Sequence, residues 1–373
     1  MNHGWPKKRL GDICQINFGK RIVAKDTQPG PYYVYGGGGA TFTTMNYNRE
    51  NCMIISRFAM SPECVRFVRG RFFLNDSGLS VQSNKESLTQ EFVDKYLWAN
   101  QPRIYNLGRG AAQRNLNTKS FSDFPIPIPP MEVQEQIVGE LDKLNELIEL
   151  KRKQLKDLDT LAQSLFYETF GDPITNPKGW HTKSLANVCT VTSSNRIFAD
   201  EYCDYGIPFY RGKEVSELSR GEKISVELFI SQKRYEKLKA SNNLPQIDDI
   251  LITAVGTIGN IWVVNTSAPF YFKDGNIIWL KDIDFSVSNS KYFRFLLIRL
   301  IDIEKSKMAN GSAYKALTIQ NLKKLTILLP PLSIQEQFAE RVEAIEEQKR
   351  LIESTIADLE TLLASRMDYW FND

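Results

Sequence analysis

Histidine is nearly absent from this chain of 373 residues: only His3 and His181 occur, each close to a tryptophan. Neither position is typical of a general base. The chain also lacks the motifs H-E-x-x-H, G-x-S-x-G and G-x-G-x-x-G of zinc proteases, serine hydrolases and dinucleotide-binding proteins. It has no Asn-Pro-Pro-aromatic run, with which an amino-methyltransferase would hold its target amine. The sequence therefore predicts a protein that catalyses no reaction, and an enzyme with a degenerate site is one alternative.

Cysteine is scarce, odd in number and without C-x-x-C spacing, which argues against a disulfide framework or a zinc site and for reduced thiols. The five cysteines are Cys14, Cys52, Cys64, Cys189 and Cys203. No apolar run reaches the roughly 18 residues that a membrane-spanning helix needs. The N-terminus has no apolar signal core. We therefore expect a cytoplasmic protein with neither a metal nor a cofactor of its own.

The net charge of +3 conceals an alternation along the chain. Residues 1–124 carry 17 basic and 9 acidic side chains, and residues 125–172 carry 5 and 10. Residues 173–324 carry 21 and 15, and residues 325–373 carry 4 and 10. Two basic segments thus alternate with two acidic ones. A basic domain favours a polyanion such as DNA, although a net charge of this size also occurs on ordinary soluble domains.

The acidic segments are copies of each other. PPMEVQEQI at 129–137 returns as PPLSIQEQF at 330–338, an offset of 201 residues. The basic segments also begin alike, because Trp5 and Leu10 correspond to Trp180 and Leu185 at an offset of 175. The repeated unit is therefore a globular domain followed by a helix. We predict domains at 1–124 and 173–324 and helices at 125–172 and 325–373.

Each acidic segment has the pattern of a long helix. Pro129 and Pro130 are tolerated at a helix start. The negative charges of Glu132 and Glu135 are favoured near that start by the helix dipole. Apolar side chains then recur in alternating steps of four and three, interrupted by Lys151 in the first copy and Lys349 in the second. They are Ile137, Leu141, Leu144, Ile148, Leu155, Leu158, Ala162 and Leu165, and Phe338, Val342, Ile345, Ile352, Ile356, Leu359 and Leu363. This heptad period favours a coiled coil of two helices about 60 Å long over ordinary amphipathic helices packed on a core.

The basic segments read as mixed α+β domains. Strands are predicted at 29–42, 52–60 and 63–74, and within 205–215, where a strand leads into Arg211 and Lys213. A hairpin is predicted at 249–264 around Gly-Thr-Ile-Gly-Asn. Residues 270–280 are predicted to form a strand pair, and 87–100, 227–239 and 290–307 to form helices. The glycine run 36–39 lacks the Lys-Ser/Thr of a phosphate-binding loop, so we expect no nucleotide site there.

Over nearly its full length the chain resembles the specificity subunits of type I restriction–modification enzymes. The resemblance rests on the duplicated proline-led Q-E-Q helix start, on GIPFYRGKEV and Gly-Thr-Ile-Gly-Asn, and on the loops Gly-Ala-Ala-Gln-Arg-Asn-Leu-Asn and Gly-Ser-Ala-Tyr-Lys-Ala-Leu-Thr. The first domain departs from the pattern at Ser56, Arg57 and Phe58, where a glycine turn would be expected.

The resemblance implies two target-recognition domains alternating with two helices, which pair as an antiparallel coiled coil with an internal pseudo-twofold repeat. Each domain would read one half of a bipartite site in double-stranded DNA. The helices would set the spacing and dock two modification subunits, which carry S-adenosylmethionine and methylate adenine. A restriction subunit would add ATP- and Mg-dependent translocation and cleavage. A coiled-coil adaptor whose basic domains bind protein or another polyanion is the alternative.

Base reading is expected from polar side chains at loops and strand ends, because Arg and Lys read guanine and Asn and Gln read adenine in the major groove. The candidates are Arg57, Arg109, Gln113, Arg114 and Asn117 in the first domain, and Arg211, Lys213, Thr257, Asn260, Lys273, Tyr314 and Lys315 in the second. For any one of them, a phosphate contact or simple solvation is the alternative.

Overall fold

The computed structural model describes residues 4–84, 86–110, 113–309 and 317–371. The chain divides into two compact units. Unit 1 comprises residues up to Gln154 together with Ile352 onward, and unit 2 comprises Leu155–Leu351. The boundaries fall inside both long helices, so each unit contains one globular domain and a part of each helix.

Unit 1 is built around a mixed sheet of order β2-β7-β5-β6-β3-β4, in which β3 and β6 are parallel and the other neighbours antiparallel. Its elements are β1 Lys7–Arg9, α1 Leu10–Ile13, β2 Cys14–Phe18, β3 Tyr32–Tyr35, β4 Ala40–Thr44, β5 Arg49–Ser56, β6 Val65–Leu74, β7 Gly78–Ser83, α2 Gln90–Ala99, α3 Gln101–Asn106, β8 Gly108–Arg109, β9 Asn115–Leu116, α4 Thr118–Ser122 and β10 Pro125–Pro127. In β6, Val65, Val68 and Phe72 are buried. The predicted strand at 52–60 was too long at its end, because the chain leaves the sheet after Ser56.

The predicted helix 87–100 is confirmed as α2, whose cap is Thr89: its side chain accepts a hydrogen bond from the Phe92 backbone N–H. Pro102 does not end the helical region. It lies in the first turn of α3, where a missing backbone N–H costs nothing.

Unit 2 contains two four-stranded sheets, β12-β19-β16-β17 and β13-β15-β14-β18, and the two-stranded sheet β11-β20. Its elements are β11 His181–Ser184, β12 Thr190–Thr192, β13 Tyr202–Cys203, β14 Ile207–Tyr210, α6 Gly212–Ser219, β15 Phe229–Ile230, α7 Gln232–Ala240, β16 Ile250–Thr253, β17 Ile261–Val263, β18 Tyr271–Phe272, β19 Ile277–Lys281, α8 Ser290–Ala309, α9 Ile319–Lys323 and β20 Thr326–Leu329. The predicted hairpin is confirmed: β16 and β17 are antiparallel, with Ile252 opposite Ile261.

Two predictions for unit 2 were wrong in part. The strands at 270–280 do not pair with each other, because β18 lies parallel to β14 and β19 pairs with β12 and β16. The predicted helix 227–239 begins late, since Ile230 pairs with Ile207 in a sheet and Ser231 caps the helix that follows.

The long helices are α5 Met131–Phe170 and α10 Leu332–Phe371, each of 40 residues and starting 201 residues apart. In unit 1, Arg152 Nη2 lies 2.8 Å from Glu360 Oε1, and Arg366 pairs with Glu140. Partner numbers fall in α10 as they rise in α5, so the helix parts run antiparallel. Unit 2 shows the same direction, because Asp159 pairs with Lys349 while Phe170 packs on Phe338 at a centroid distance of 5.1 Å.

The predicted coiled-coil positions are buried or half-buried in both units. In unit 1, Ile137, Leu141 and Leu144 join the core of the globular domain, against which Leu359 also packs. In unit 2, Phe338 and Val342 join the domain core in the same way. Lys349, the polar interruption in the second copy, donates to Asp159 Oδ1 at 2.6 Å rather than occupying a buried position alone.

Candidate nucleic-acid interface

In unit 1 the candidate residues gather where two loops meet. The Leu116 N–H donates to the Arg57 carbonyl at 2.8 Å, and the Met60 N–H donates to the Arg114 carbonyl at 2.9 Å. The loop after β5 is thereby fixed to the β8–β9 hairpin. Arg109 and Gln113 are exposed on that hairpin and its turn.

Arg57 is held by aromatic rings. Its guanidinium carbon lies 5.0 Å from the Phe18 ring centre and 4.7 Å from that of Phe58, and Nη1 donates to the Asp76 carbonyl at 3.3 Å. Both rings are part-exposed, at 47% and 38%. Among the residues that the structure describes, no carboxylate pairs with Arg57, so its charge is not neutralised there while the two rings hold the half-buried side chain in place.

Arg114 and Asn117 each have a partner within the protein. Arg114 stacks over the Tyr105 ring at 4.7 Å. Asn117 caps α4, accepting a hydrogen bond from the Ser120 N–H at 3.2 Å. Because the Asn117 side chain already caps a helix, Asn117 is the weakest of the five unit 1 candidates for reading bases.

Unit 2 repeats the junction of loops. The Leu317 N–H donates to the Ala254 carbonyl at 3.2 Å, matching the bond from Leu116 to Arg57. Thr257 and Asn260 lie on the β16–β17 turn, in which Gly259 has a φ of +83° that suits glycine. Tyr314 and Lys315 lie outside the described residues.

Helix α6 lies beside this turn; Lys213 lies on it and Arg211 immediately precedes it. Ser216 Oγ is 2.8 Å from Thr257 Oγ1, so the helix and the turn are in contact. Lys273 follows β18, and its backbone N–H donates to the carbonyl of Tyr210 at the end of β14 at 2.9 Å, while its Nζ lies 3.3 Å from Asp274 Oδ1.

Arg211 immediately precedes α6 and pairs with two carboxylates. Its Nη2 donates to Glu214 Oε1 at 2.8 Å and to Glu227 Oε2 at 2.9 Å, and its backbone N–H donates to Glu214 Oε2 at 2.8 Å. Lys213 Nζ donates to Glu227 Oε1 at 3.2 Å. Burial opposes ionisation of Glu214, but the hydrogen bonds from Arg211 leave its pKa below the ordinary value. Hydrogen bonds from Arg211 and Lys213 also lower the pKa of Glu227, so both carboxylates are charged.

Sequence reasoning missed Phe18, Phe58, Glu214 and Glu227. Glu214 had a local signal, since a glutamate three residues after the residue that caps a helix is typical of a capping box. Phe18 and Glu227 had none, because their partners lie elsewhere in the sequence, whereas Phe58 directly follows Arg57.

Within the described part of the chain, no group of three or more His, Cys, Asp or Glu side chains could hold a metal ion. No helix found there is both long and apolar enough to span a bilayer.

The fold has solved counterparts. The S subunit of a type I restriction–modification system from M. genitalium aligns over 99% of this chain and 96% of its own, with a TM-score of 0.58 and 17% identity. A structure described under complex assembly and conformational transition of the type I R-M system aligns over 98% and 97%, with a TM-score of 0.60 and 21% identity. The likeness confirms the predicted α+β architecture of two domains alternating with long helices.

Sequence comparison identifies the family. The model of the type I restriction modification DNA specificity domain matches twice, at residues 2–160 and 177–361, so the chain belongs to that family. A putative specificity subunit from Haemophilus influenzae is 29% identical over 354 residues, covering 91% of this chain and 87% of the relative. The MjaIX specificity subunit of Methanocaldococcus jannaschii is 30% identical over 266 residues, 66% and 59% of the two chains. The chain is therefore a specificity subunit, the non-catalytic component of its system, as the resemblance predicted.

Proposed function

We propose that each globular domain reads one half of a bipartite DNA site and that the long helices set the distance between the halves. The observation that carries this proposal is the loop junction that recurs in both units. In each, the segment before the short helix α4 or α9 is bonded to the loop after a central strand, through Leu116 and Leu317. The same scaffold thus presents different side chains, which suits two domains that read different sequences.

The distribution of charge supports the same arrangement. Residues 1–124 and 173–324 are basic, whereas the helices are acidic and would repel DNA phosphates. We therefore assign phosphate contacts and base reading to the domains, and protein contacts to the helices. This chain would work in the cytoplasm, where its DNA target lies.

The helices carry matched apolar side chains for partners. Leu150 and Leu351 are 59% and 61% exposed and occupy equivalent places in the repeat, as do Leu161 and Leu362 at 52% and 46%. Unit 1 holds Leu150 and Leu362, and unit 2 holds Leu351 and Leu161. Equivalent patches on both units suit two copies of one partner, which we take to be the modification subunit that binds S-adenosylmethionine. ATP and Mg would belong to a restriction subunit.

The test uses the full chain and a pool of duplexes that contain two randomised segments. The protein should enrich a sequence in two parts, and its affinity should fall at least roughly tenfold between about 0.05 and 0.2 M salt, as phosphate contacts require. A coiled-coil adaptor that binds protein would enrich no sequence and show no such dependence. An adaptor for any polyanion would show the salt dependence without enrichment, and either outcome would overturn the proposal.

A further inference from the structure

Four charged side chains at the start of α6 cancel each other. Arg211 and Lys213 share Glu227, and Arg211 also pairs with Glu214. We call these four residues the neutral cluster. Two cations and two carboxylates leave it with no net charge, on a surface whose other candidates include Thr257 and Lys273.

The fold fixes the neutral cluster in place. Glu214 is 1% exposed, and its carboxylate is bound to both the backbone and the side chain of Arg211. Glu227 precedes β15, which pairs with β14, and the Phe209 N–H donates to the Leu228 carbonyl at 2.9 Å. The sheet therefore positions Glu227 beside the start of α6, so the ion pairs of Glu227 with Arg211 and Lys213 are fixed by the fold.

Donors remain available at the neutral cluster. Among the described residues no acceptor bonds to Arg211 Nη1, and Lys213 Nζ uses one of its three protons. The polar and charged side chains that line a groove beside these groups are Lys213, Ser216, Glu217, Arg220 and Thr257. The cluster can donate hydrogen bonds to base edges in the groove of DNA, while it attracts phosphate no more than a neutral surface does.

Resting on the proposed function, we infer that Glu227 is a specificity-determining residue: it cancels charge so that Arg211 and Lys213 recognise bases and not the phosphate backbone. Unit 1 shows the opposite arrangement: the Arg57 guanidinium lies against two aromatic rings and has no carboxylate partner in the described structure, so its charge is not cancelled. The half-site of unit 2 would then be read by hydrogen bonds with little release of counterions, which raises the ratio of specific to non-specific binding.

The experiment compares Glu227→Gln with the wild-type full chain, using the selected duplex and a scrambled duplex of equal length. At about 0.1 M salt the variant should bind the scrambled duplex roughly 3- to 10-fold more tightly, because one freed cation makes one further phosphate contact. The slope of log affinity against log salt should become steeper by about 0.9 for the same reason. Glu227→Asp, which keeps the charge, should restore the wild-type ratio of selected to scrambled affinity.

The matched control is Glu236→Gln, an equal change of charge at an exposed glutamate of α7 that bonds to Gln232. Equal effects of the two variants would overturn the inference, since net charge alone would explain them. Weaker binding of the selected duplex with an unchanged slope would overturn it too, because Glu227 would then contact a base itself. Failure of the wild-type chain to select any sequence would instead overturn the proposed function.

Discussion

Gln134 and Gln335, which are 201 residues apart in sequence, make the same three hydrogen bonds in their respective units. Gln134 Oε1 accepts from the Thr89 N–H at 2.8 Å, and its Nε2 donates to the carbonyls of Ser87 and Pro129 at 2.8 and 2.9 Å. Gln335 bonds likewise to the N–H of Asn289 and the carbonyls of Val287 and Pro330, at 2.8, 3.0 and 2.8 Å. Both side chains are 0% exposed. The first glutamine of the Q-E-Q sequence thus joins the start of a long helix to the start of a domain helix.

Gln134→Ala should lower the free energy of unfolding by about 1–3 kcal/mol, because it leaves backbone groups of Thr89, Ser87 and Pro129 without a partner. Urea denaturation followed by fluorescence measures the change. Gln136→Ala is the matched control, as Gln136 is exposed on the same turn and should cost little. Equal losses in the two variants would mean that the bonds of Gln134 do not stabilise the fold.

The sequence alone predicted the features that local chemistry determines. The long helices followed from their heptad period and the prolines before them, and the β16–β17 hairpin followed from a glycine turn between two β-rich runs. The Q-E-Q motif is evident in the sequence. Its structural role is not, because Gln134 bonds to Thr89, which lies 45 residues earlier. A sequence pattern does not reveal a partner at that distance.

The errors have the same origin. Tyr271 and Phe272 have the pattern of one arm of a hairpin, but they pair with β14, some sixty residues earlier. Arg57 was predicted to read bases as a polar residue near the end of a strand, whereas one of the two rings that support it belongs to Phe18 on β2. The candidate site was therefore predictable as a set of loops, and its electrostatics required the fold.

Asp94 should make unit 1 less stable as the pH rises. Its carboxyl is 9% exposed and accepts a hydrogen bond from Gln90 Nε2 at 2.8 Å, and burial raises its pKa from 3.8 to about 6. Because the folded state holds this proton more tightly than the unfolded state, the stabilisation is complete below pH 3.8 and is lost as the pH rises through 6.

At pH 7.5, Asp94→Asn should therefore have a free energy of unfolding about 1–3 kcal/mol higher than that of the wild type, as measured by urea denaturation. The difference should shrink towards pH 4.5. Asn retains an oxygen that accepts from Gln90. Asp26→Asn, at an exposed position of unit 1, serves as the control and should show no such trend. An advantage of Asp94→Asn that stays constant with pH would contradict the prediction.

Arg57→Ala should relax the choice of base at one position of the half-site read by unit 1, at a cost of about 1–3 kcal/mol. Arg57→Lys keeps the charge but lacks the planar fork that contacts guanine twice, so it should lose the same preference while retaining the salt dependence. Selection of duplexes from a randomised pool measures both. Arg69→Ala, an equal loss of charge at an exposed position of β6, should weaken all sequences alike. A preference that survives Arg57→Ala would assign the reading to another side chain.

The exposed leucines should determine how many modification subunits bind. Leu150→Glu alone, or Leu351→Glu alone, should reduce the stoichiometry from two partners to one, and the double variant should bind none. Burying a leucine contributes about 1.5–3 kcal/mol, so a charge in its place should weaken docking by at least roughly tenfold. Native mass spectrometry of the co-expressed complex counts the partners. The control variant with Leu150→Met and Leu351→Met preserves apolar area and should still bind two modification subunits. Two partners bound to the double glutamate variant would show that these leucines are not the docking sites.

Lengthening both helices by one heptad should lengthen the unread segment of the DNA site. The insertions go between the antiparallel pairs Arg152–Glu360 and Asp159–Lys349, namely after Gln154 in α5 and after Leu351 in α10. Seven residues add about 10 Å to each helix and preserve the apolar period, and 10 Å of DNA corresponds to about three base pairs. Methylation mapped in a host that expresses the modification subunits should show the same two half-sites further apart. Insertion in α5 alone breaks the register and should abolish methylation, whereas an unchanged spacing with both insertions would show that the helices do not measure it.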